Sequence, residues 1–231
     1  MPNLTDALLD PLMAGDRMGP RITYYDDATG ERIELSTVTL ANWAAKSANL
    51  LRDELGAGPG SRIAVLLPPH WQTAAVLLGV WWIGAEVVLE APADIALCTI
   101  DRLSEADDTV AGGEVAVLSL DAFGKPVPDL PIGVTDYATA VRVHGDQIVP
   151  ERFPGAALEG RSPDDVLARA RERAGSLGLT AADRVMSVSP LPVETLLAVL
   201  AAGASLVQVT NPDPALLERR RESEKVTRTL D

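Results

Sequence analysis

The sequence contains few of the side chains that most often carry chemistry. Its 231 residues include one cysteine, Cys98, and two histidines, His70 and His144. A single cysteine cannot form a disulfide within the chain, so the composition suits a reducing compartment, and we predict a cytoplasmic protein. Two histidines and one cysteine, widely separated in the chain, match no metal-ligand spacing. Since Cys98 lies in the apolar run IALCT, we interpret it as a small buried hydrophobe.

Basic charge and long apolar runs are also scarce. The chain carries 33 acidic against 20 basic side chains, a formal net charge of −13. An acidic protein repels phosphate backbones, so we predict no nucleic-acid partner. The longest apolar stretch, residues 73–85, is too short to cross a bilayer, and the N-terminus lacks the basic region of a signal peptide. The sequence therefore predicts no membrane partner.

A hydrophobic content of 47% is enough for a folded core, and part of it is arranged as a repeat. The stretch LGAGPGSRIAVLLP, residues 55–68, returns as LGLTAADRVMSVSP, residues 177–190. Each copy follows a helical pattern and precedes a helix-like run that ends in Gly-Ala, followed by a β-rich run, EVVLE or SLVQV. Near-continuous apolar strands that alternate with helices are typical of parallel sheets. We predict an α/β fold, a mainly parallel sheet layered by helices, with two similar helix-strand-helix-strand units.

Other segments carry clear local signals. RITYYD and ERIELS flank a turn-rich spacer at residues 27–30 and predict an N-terminal β-hairpin. Apolar residues three and four positions apart predict an amphipathic helix over 37–55, and Ser162 followed by Pro163 predicts the start of another helix. The arginines and glutamates of a last helix, at 214–225, are spaced to form ion pairs on a solvated face.

The pattern predicts a single α/β domain over residues 1–231. Its two similar halves, about 20–120 and 160–231, are joined by a segment rich in proline and glycine at 121–161. A connection of this length inside a compact domain is usually functional or mobile.

Two blocks of the chain resemble one enzyme superfamily. The string LRDELGAGPGSRIAVLLPPHWQTAAVLLGVWWIGAEVVLEAP looks like the N-terminal part of the adenylate-forming enzymes, the acyl-CoA synthetase and AMP-dependent ligase superfamily. The string GLTAADRVMSVSPLPVETLLAVLAAGASLVQVTNPDPALLERRRESEKVT is similar to the segment that follows the family's ATP loop. The resemblance covers roughly residues 20–120 and 160–227 and is greatest to a short actinomycete branch. It implies activation of a carboxylate by ATP, followed by transfer to a thiol such as CoA.

The motifs that this chemistry needs are weak or missing. The resemblance implies a phosphate loop of the form Thr-Ser-Gly-Thr-Thr-Gly-x-Pro-Lys, but the chain offers LDAFGKPVP, residues 120–128. The family's Pro-Leu-x-His-x-x-Gly is represented by PLPVET, residues 190–195, without the histidine. Because the chain ends at Asp231, we expect the family's metal-, adenine- and ribose-binding motifs and its mobile C-terminal domain to be absent. We therefore predict no catalytic residue and no metal site, and the sequence assigns no cofactor-binding residue.

One predicted helix, at residues 70–83, is crowded with tryptophan. It contains Trp71, Trp81 and Trp82. A buried core helix accounts for them, but tryptophan also favours subunit interfaces. The second interpretation predicts an interface that includes Trp71 and Trp82, and a homodimer that covers an apolar face.

Three functions remain open from the sequence. The first, which the sequence favours, is a non-catalytic binding or interaction module for a protein partner or for a remnant ligand such as AMP, an acyl group or a CoA-like thioester. The second is a residual acyl-activating or acyl-binding enzyme that acts with AMP, ATP or CoA and is completed by a partner chain. The third is a structural homodimer without a small ligand. No cofactor is certain in any of them.

Overall fold

A computed structural model of the chain describes residues 3–89, 92–188 and 190–230. Eight α-helices and ten β-strands lie within these residues. The helices are α1 (Leu4–Ala14), α2 (Thr37–Asp53), α3 (Trp71–Trp82), α4 (Leu103–Val110), α5 (Tyr137–Ala140), α6 (Pro163–Ser176), α7 (Val193–Ala201) and α8 (Pro214–Ser223). The strands are β1 (Pro20–Asp26), β2 (Glu31–Ser36), β3 (Arg62–Leu66), β4 (Glu86–Val88), β5 (Ile95–Cys98), β6 (Glu114–Val117), β7 (Val134–Asp136), β8 (Arg184–Ser187), β9 (Ser205–Thr210) and β10 (Arg228–Leu230). In these three stretches, no helix has the length and apolar character that a bilayer span requires.

The strands form two five-stranded sheets. Sheet 1 has the order β4-β3-β5-β6-β7, and all its neighbouring strands are parallel. Sheet 2 has the order β10-β8-β9-β1-β2, in which β1 and β2 are antiparallel and the other neighbours are parallel. The strands β5 and β8 are buried along nearly their whole length, as is typical of parallel strands that are covered on both faces.

The chain divides into two compact units, each of which contains one sheet. Unit 1 comprises the described parts of residues 1–6, 41–68 and 72–166 and contains sheet 1. Its core combines small and β-branched side chains of β3, β5 and β6 with Ala106 and Val110 of α4. These short side chains allow α4 to pack closely on the sheet.

The segment 121–161 belongs to unit 1 and is anchored to it. It supplies β7 at the edge of sheet 1 and the short helix α5. The indole N–H of Trp81 donates to the carbonyl of Ala157 at 2.8 Å, and Leu158 forms an isolated parallel bridge with Val87. The linking segment is thus part of the fold of this unit.

Unit 2 comprises residues 7–40 and 69–71 and the described part of 167–231, and it contains sheet 2. The hairpin of β1 and β2 turns at Gly30, whose φ of 77° suits a residue without a side chain. On its other side β1 pairs in parallel with β9. Since β8 is parallel to β9 as well, β1, β8 and β9 all begin at the same edge of the sheet.

The predicted fold class is confirmed, with small shifts at the ends of elements. The hairpin, the amphipathic helix α2, the helix α6 that begins after Ser162 and both copies of the repeat are present. Each copy contains a pair of adjacent parallel strands, β3 with β4 and β8 with β9. The parallel strands are divided between two sheets because each copy contributes to a sheet of its own.

Candidate functional site

Unit 2 contains a charged cavity of about 530 Å³ at the edge where β1, β8 and β9 begin. Arg21, at the start of β1, and Arg184 and Ser205, the first residues of β8 and β9, line it together with Glu224 and Lys225 beyond α8. We call it the polar cavity. Sites for small ligands are usually concave, with volumes of about 300 to 1,000 Å³ and a few convergent polar groups. By size and lining, the polar cavity is the candidate site of this unit.

Alternation along the strands brings polar side chains to one face of sheet 2. The register pairs Thr23 of β1 with Glu34 of β2, and Tyr25 with Arg32. Successive side chains of a strand point to opposite faces, so these four residues share a face. The register of β8 with β9, and of β9 with β1, adds Arg184 to the same face.

The carboxylate of Glu224 is the centre of a buried network in the wall of the polar cavity. It accepts hydrogen bonds from the Tyr25 hydroxyl at 2.5 Å and from the Arg32 guanidinium at 2.9 and 3.2 Å, and it forms an ion pair with Arg184. Burial raises the pKa of Glu224, but the hydrogen bonds from Tyr25, Arg184 and Arg32 outweigh it, so the pKa lies below its ordinary value. Glu224 is therefore ionised at neutral pH, with its charge matched by two arginines.

A second ion pair fixes the Tyr25 ring between charged groups. The guanidinium of Arg220 in α8 donates to both carboxylate oxygens of Asp27, at 2.6 and 3.0 Å. Its Cζ lies 4.0 Å from the centroid of the Tyr25 ring, a distance at which a cation is attracted to the face of the ring. Because Arg220 and Asp27 are both largely buried, this bidentate pair holds α8 on the β1–β2 hairpin.

Several acidic groups that line the polar cavity are already paired. Besides Glu224, Glu34 forms an ion pair with Arg32 at 2.7 Å, and Asp183 forms one with Arg228 at 3.1 Å. In contrast, the ammonium group of Lys225 takes part in no ion pair within the part of the chain that the structure describes. Two lining cations, Arg21 and Lys225, and one lining carboxylate, Asp16, therefore take part in no ion pair among the described residues.

Arg21 supplies a buried positive charge without a carboxylate in contact. The residue is only 7% exposed. Its Nη1 donates to the carbonyls of Gly203 and Ala204 at 2.6 and 2.8 Å, and its Nε donates to Thr37 Oγ1 at 3.2 Å. Burial lowers the pKa of Arg21, and the nearby Asp16 partly offsets this. Carbonyls past the end of α7 thus satisfy hydrogen bonds of the guanidinium, and no ion pair within the described residues neutralises its charge.

Trp71 and Trp82, the predicted interface residues, have different surroundings. Trp71 is buried, with 4% of its surface exposed. Trp82 is partly exposed, and its indole N–H donates to Asp6 Oδ1 at 2.6 Å. The interface therefore stays a prediction.

The turn at residues 120–128 does not present free backbone amides to a phosphate. The carboxylate of Asp121 accepts hydrogen bonds from the backbone N–H of Phe123 at 2.9 Å and of Lys125 at 3.2 Å. These two bonds, first that of Lys125, lower the pKa of Asp121. Arg142 donates to the carbonyls of Phe123 and Gly124, which holds the turn in shape. Two backbone amides that an anion-binding loop would direct at a phosphate thus bind a carboxylate of the turn itself.

Both histidines and the cysteine have defined environments. The ring of His70 meets the Tyr24 ring edge-on at 4.4 Å, and burial lowers the pKa of His70 to about 3. His144 Nε2 lies 2.8 Å from a carboxylate oxygen of Glu54. Burial raises the pKa of the Cys98 thiol to about 11, so it stays protonated, in agreement with the prediction of a buried small hydrophobe. Across the described residues, no group of three or more metal-ligating side chains could hold an ion.

The polar cavity was not predicted from the sequence. Its residues come from the first 34 positions and from those after 180, and no local motif joins them. One weak signal exists, because an arginine opens each of the apolar runs RITYY, RIAVL and RVMS. Only the folded sheet shows that two of these arginines, Arg21 and Arg184, face the same cavity.

Solved structures define the class of the fold. An acyl-CoA synthetase from Brucella canis matches with a TM-score of 0.78 and 18% identity, over 98% of this chain and 46% of that one. The N-terminal domain of FACL13 from Mycobacterium tuberculosis matches with a TM-score of 0.71 and 16% identity, over 99% of this chain and 62% of that one. The fold is that of the N-terminal part of acyl-CoA synthetases, which confirms the fold that the resemblance implied. The chain spans about half the length of the solved structures that it matches.

A relative at much higher identity shows the family. A TIGR03089 family protein of Mycobacterium tuberculosis (strain ATCC 25618 / H37Rv) is 66% identical over an alignment of 237 positions. The alignment covers 98% of this chain and 98% of the relative. The chain belongs to this family. No protein-family model matches it.

Proposed function

We propose that the chain is a non-catalytic binding module that holds a small anionic ligand in the polar cavity. One observation carries this proposal: the buried guanidinium of Arg21, which forms no ion pair among the described residues, lies in a cavity of about 530 Å³ that Lys225 also lines. An uncompensated buried cation costs free energy, and a bound anion removes that cost. Of the carboxylates that line the cavity and would repel an anion, Glu224 and Asp183 are paired with arginines, whereas Asp16 takes part in no ion pair among the described residues.

The states of the reactive side chains support binding over catalysis. His70, with a pKa of about 3, is too weak a base at neutral pH, and the Cys98 thiol, with a pKa of about 11, is not a nucleophile there. In the turn at 120–128, the carboxylate of Asp121 already accepts hydrogen bonds from two backbone amides. The states of His70, Cys98 and this turn therefore favour a binding function over a catalytic one.

A second candidate is acyl activation, which the fold favours because its neighbours include acyl-CoA synthetases. In that function the chain acts with ATP or CoA and is completed by a partner chain. Exchange of radiolabelled pyrophosphate into ATP, with a panel of carboxylates, separates the two candidates. We expect no exchange above background. Clear exchange would contradict the non-catalytic binding module and support acyl activation.

Thermal-shift measurements test anion binding directly. The panel consists of phosphate, AMP, ATP with Mg²⁺, CoA and acetate, at constant ionic strength. A ligand at about 100 times its Kd adds roughly 2.7 kcal/mol to the free energy of unfolding, which for a chain of this size raises the Tm by about 5–10 °C.

We expect Lys225→Gln to weaken anion binding about tenfold, since it removes one unmatched charge. Arg219→Gln is the matched control, because this exposed arginine of α8 does not line the cavity. If no anion raises the Tm of the folded wild-type protein, the proposal is wrong. The search would then turn to protein partners.

A further inference from the structure

An apolar hollow adjoins the polar cavity in unit 2. It has a volume of about 320 Å³. Leucines and small residues of α1, α6 and α7 line it, among them Leu8, Leu12, Leu167, Leu200 and Ala201. Ligand sites combine such apolar lining with a few polar groups that fix orientation.

The hollow and the polar cavity share part of their walls, and we call the two together the joined site. Asp16, Arg21, Ala181 and Gly203 line both. Arg21 thus lies in the wall that the hollow and the polar cavity share. A ligand that fills both parts has a charged group and an apolar group joined at this point.

The charges around the joined site favour a dianion. In the described part of the chain, three cationic side chains that line it, Arg21, Arg171 and Lys225, take part in no ion pair, and neither does one carboxylate, Asp16. The other acidic groups of the lining are each paired with an arginine. The excess of two positive charges matches a phosphate monoester, which carries nearly two negative charges at neutral pH.

We propose that the joined site binds a phosphate monoester of a small apolar alcohol, a proposal that rests on the anion-binding function above. The phosphate lies in the polar cavity near Arg21 and Lys225, and the apolar group lies in the hollow. Liquid water occupies roughly 30 Å³ per molecule, so the hollow accepts an apolar group of roughly ten non-hydrogen atoms at most. Inorganic phosphate leaves the hollow unfilled, and AMP would place a polar nucleoside there.

Isothermal titration calorimetry with phenyl phosphate tests the proposal. The comparison ligands are inorganic phosphate, which has the head alone, phenol, which has the ring alone, benzoate, which has a single charge, and AMP. We expect phenyl phosphate to bind at least tenfold more tightly than inorganic phosphate, since burial of a ring-sized apolar group changes affinity by about that factor or more. Benzoate, phenol and AMP bind more weakly than phenyl phosphate.

Two substitutions locate the ring. Ala201→Phe fills the hollow from a partly exposed position at the end of α7 and removes the advantage of phenyl phosphate, leaving inorganic phosphate unchanged. Ala168→Phe, at an exposed position of α6 that does not line the hollow, is the matched control and changes neither affinity. Circular dichroism spectra establish that both variants are folded.

The outcomes separate this inference from the proposed function. If inorganic phosphate binds as tightly as phenyl phosphate and Ala201→Phe has no effect, the inference fails and the anion site stands. If benzoate, phenol or AMP binds more tightly than phenyl phosphate, the ligand class is wrong. If no phosphate compound binds at all, the proposed function fails with the inference.

Discussion

Asp183 shows how much structure in unit 2 depends on a single carboxylate. Its Oδ2 accepts hydrogen bonds from the backbone N–H and the hydroxyl of Thr180, each at 2.8 Å. Its Oδ1 accepts from Thr227 Oγ1 at 2.8 Å and from Arg228 Nε at 3.1 Å. The hydrogen bond from Thr227, helped by those from Thr180 and Arg228, lowers the pKa of Asp183 to about 2. The carboxylate thereby joins the start of β8 to β10.

We expect Asp183→Asn to lower the free energy of unfolding by about 1 kcal/mol at pH 7, a value reduced for solvent screening. Because the pKa in the folded chain is depressed, the stabilisation is present above the ordinary pKa of 3.8 and is lost as the pH falls toward 2. Urea unfolding at pH 7, 4 and 2.5 measures this. The difference between wild type and variant shrinks at the lowest pH. As a control, Asp10→Asn at an exposed position in α1 is expected to change the free energy of unfolding little. If this control loses as much stability as Asp183→Asn, the role of Asp183 is contradicted.

Single residues differ in how far the sequence predicts them. Ser162 was predicted as a helix cap, and its hydroxyl accepts from the backbone N–H of Asp165 at 3.2 Å. The signal is local, since the cap and its helix are neighbours in the chain. The solvated face predicted for the helix at 214–225 was wrong for Glu224, which is buried. Its partners Tyr25 and Arg32 lie almost 200 positions earlier, so no local pattern indicated them.

Helices α2 and α3 approach each other closely in unit 1, and Gly79 makes this possible. A Cβ at Gly79 would lie 2.9 Å from the Ala44 carbonyl oxygen and 3.0 Å from both Ala48 N and Ser47 Cβ. Two of these three atoms belong to the backbone, so they cannot move without shifting α2. The glycine thus sets the distance between two helices at the cost of local helix propensity.

We expect Gly79→Ala to lower the free energy of unfolding by about 1–3 kcal/mol through overpacking, although alanine favours helix. Gly175→Ala in α6 is the control, because nothing lies within 4 Å of a Cβ there and its φ is not positive. This control is expected to gain about 0.5–1 kcal/mol. Chemical denaturation of both variants gives the two values, and a gain for Gly79→Ala would contradict the close approach.

At the scale of elements, length and periodicity decided what could be predicted. Helix α2 has 17 residues and a clear apolar stripe, so its pattern was visible without the structure. Strands β7 and β10 have three residues each and were missed, since sequences such as VTD and RTL carry no periodicity of their own. Their pairing with β6 and β8 forms them.

At the scale of the whole molecule, the repeat was predicted but the assignment of the hairpin to a sheet was not. The β1–β2 hairpin precedes the first copy of the repeat in the chain, yet it extends the sheet of the second copy. Pairing of β1 with β9 joins residues 22–26 to 206–210. Local patterns indicate that a strand exists, but they do not indicate which distant strand it will pair with.

The predicted homodimer is also tested at this scale. An interface that includes Trp82 predicts the mass of two chains at micromolar concentration by multi-angle light scattering. Trp82→Gln is then expected to give the mass of one chain, and Trp43→Gln, at another partly exposed tryptophan, to leave the dimer intact. If the wild-type protein has the mass of one chain, the predicted interface is wrong. Trp82 would then have a structural role through its hydrogen bond to Asp6.

The strand order has a consequence for how the chain folds during synthesis. All five strands of sheet 1 lie between residues 62 and 136, so that sheet can form while the ribosome is still translating the rest. The hairpin leaves the ribosome before any strand of sheet 1 but must wait for β9, more than two thirds of the chain later. Until then β1 has an unpaired edge, and unpaired strand edges promote aggregation. We therefore expect nascent chains that stop before residue 205 to engage chaperones through the unpaired edge of the hairpin.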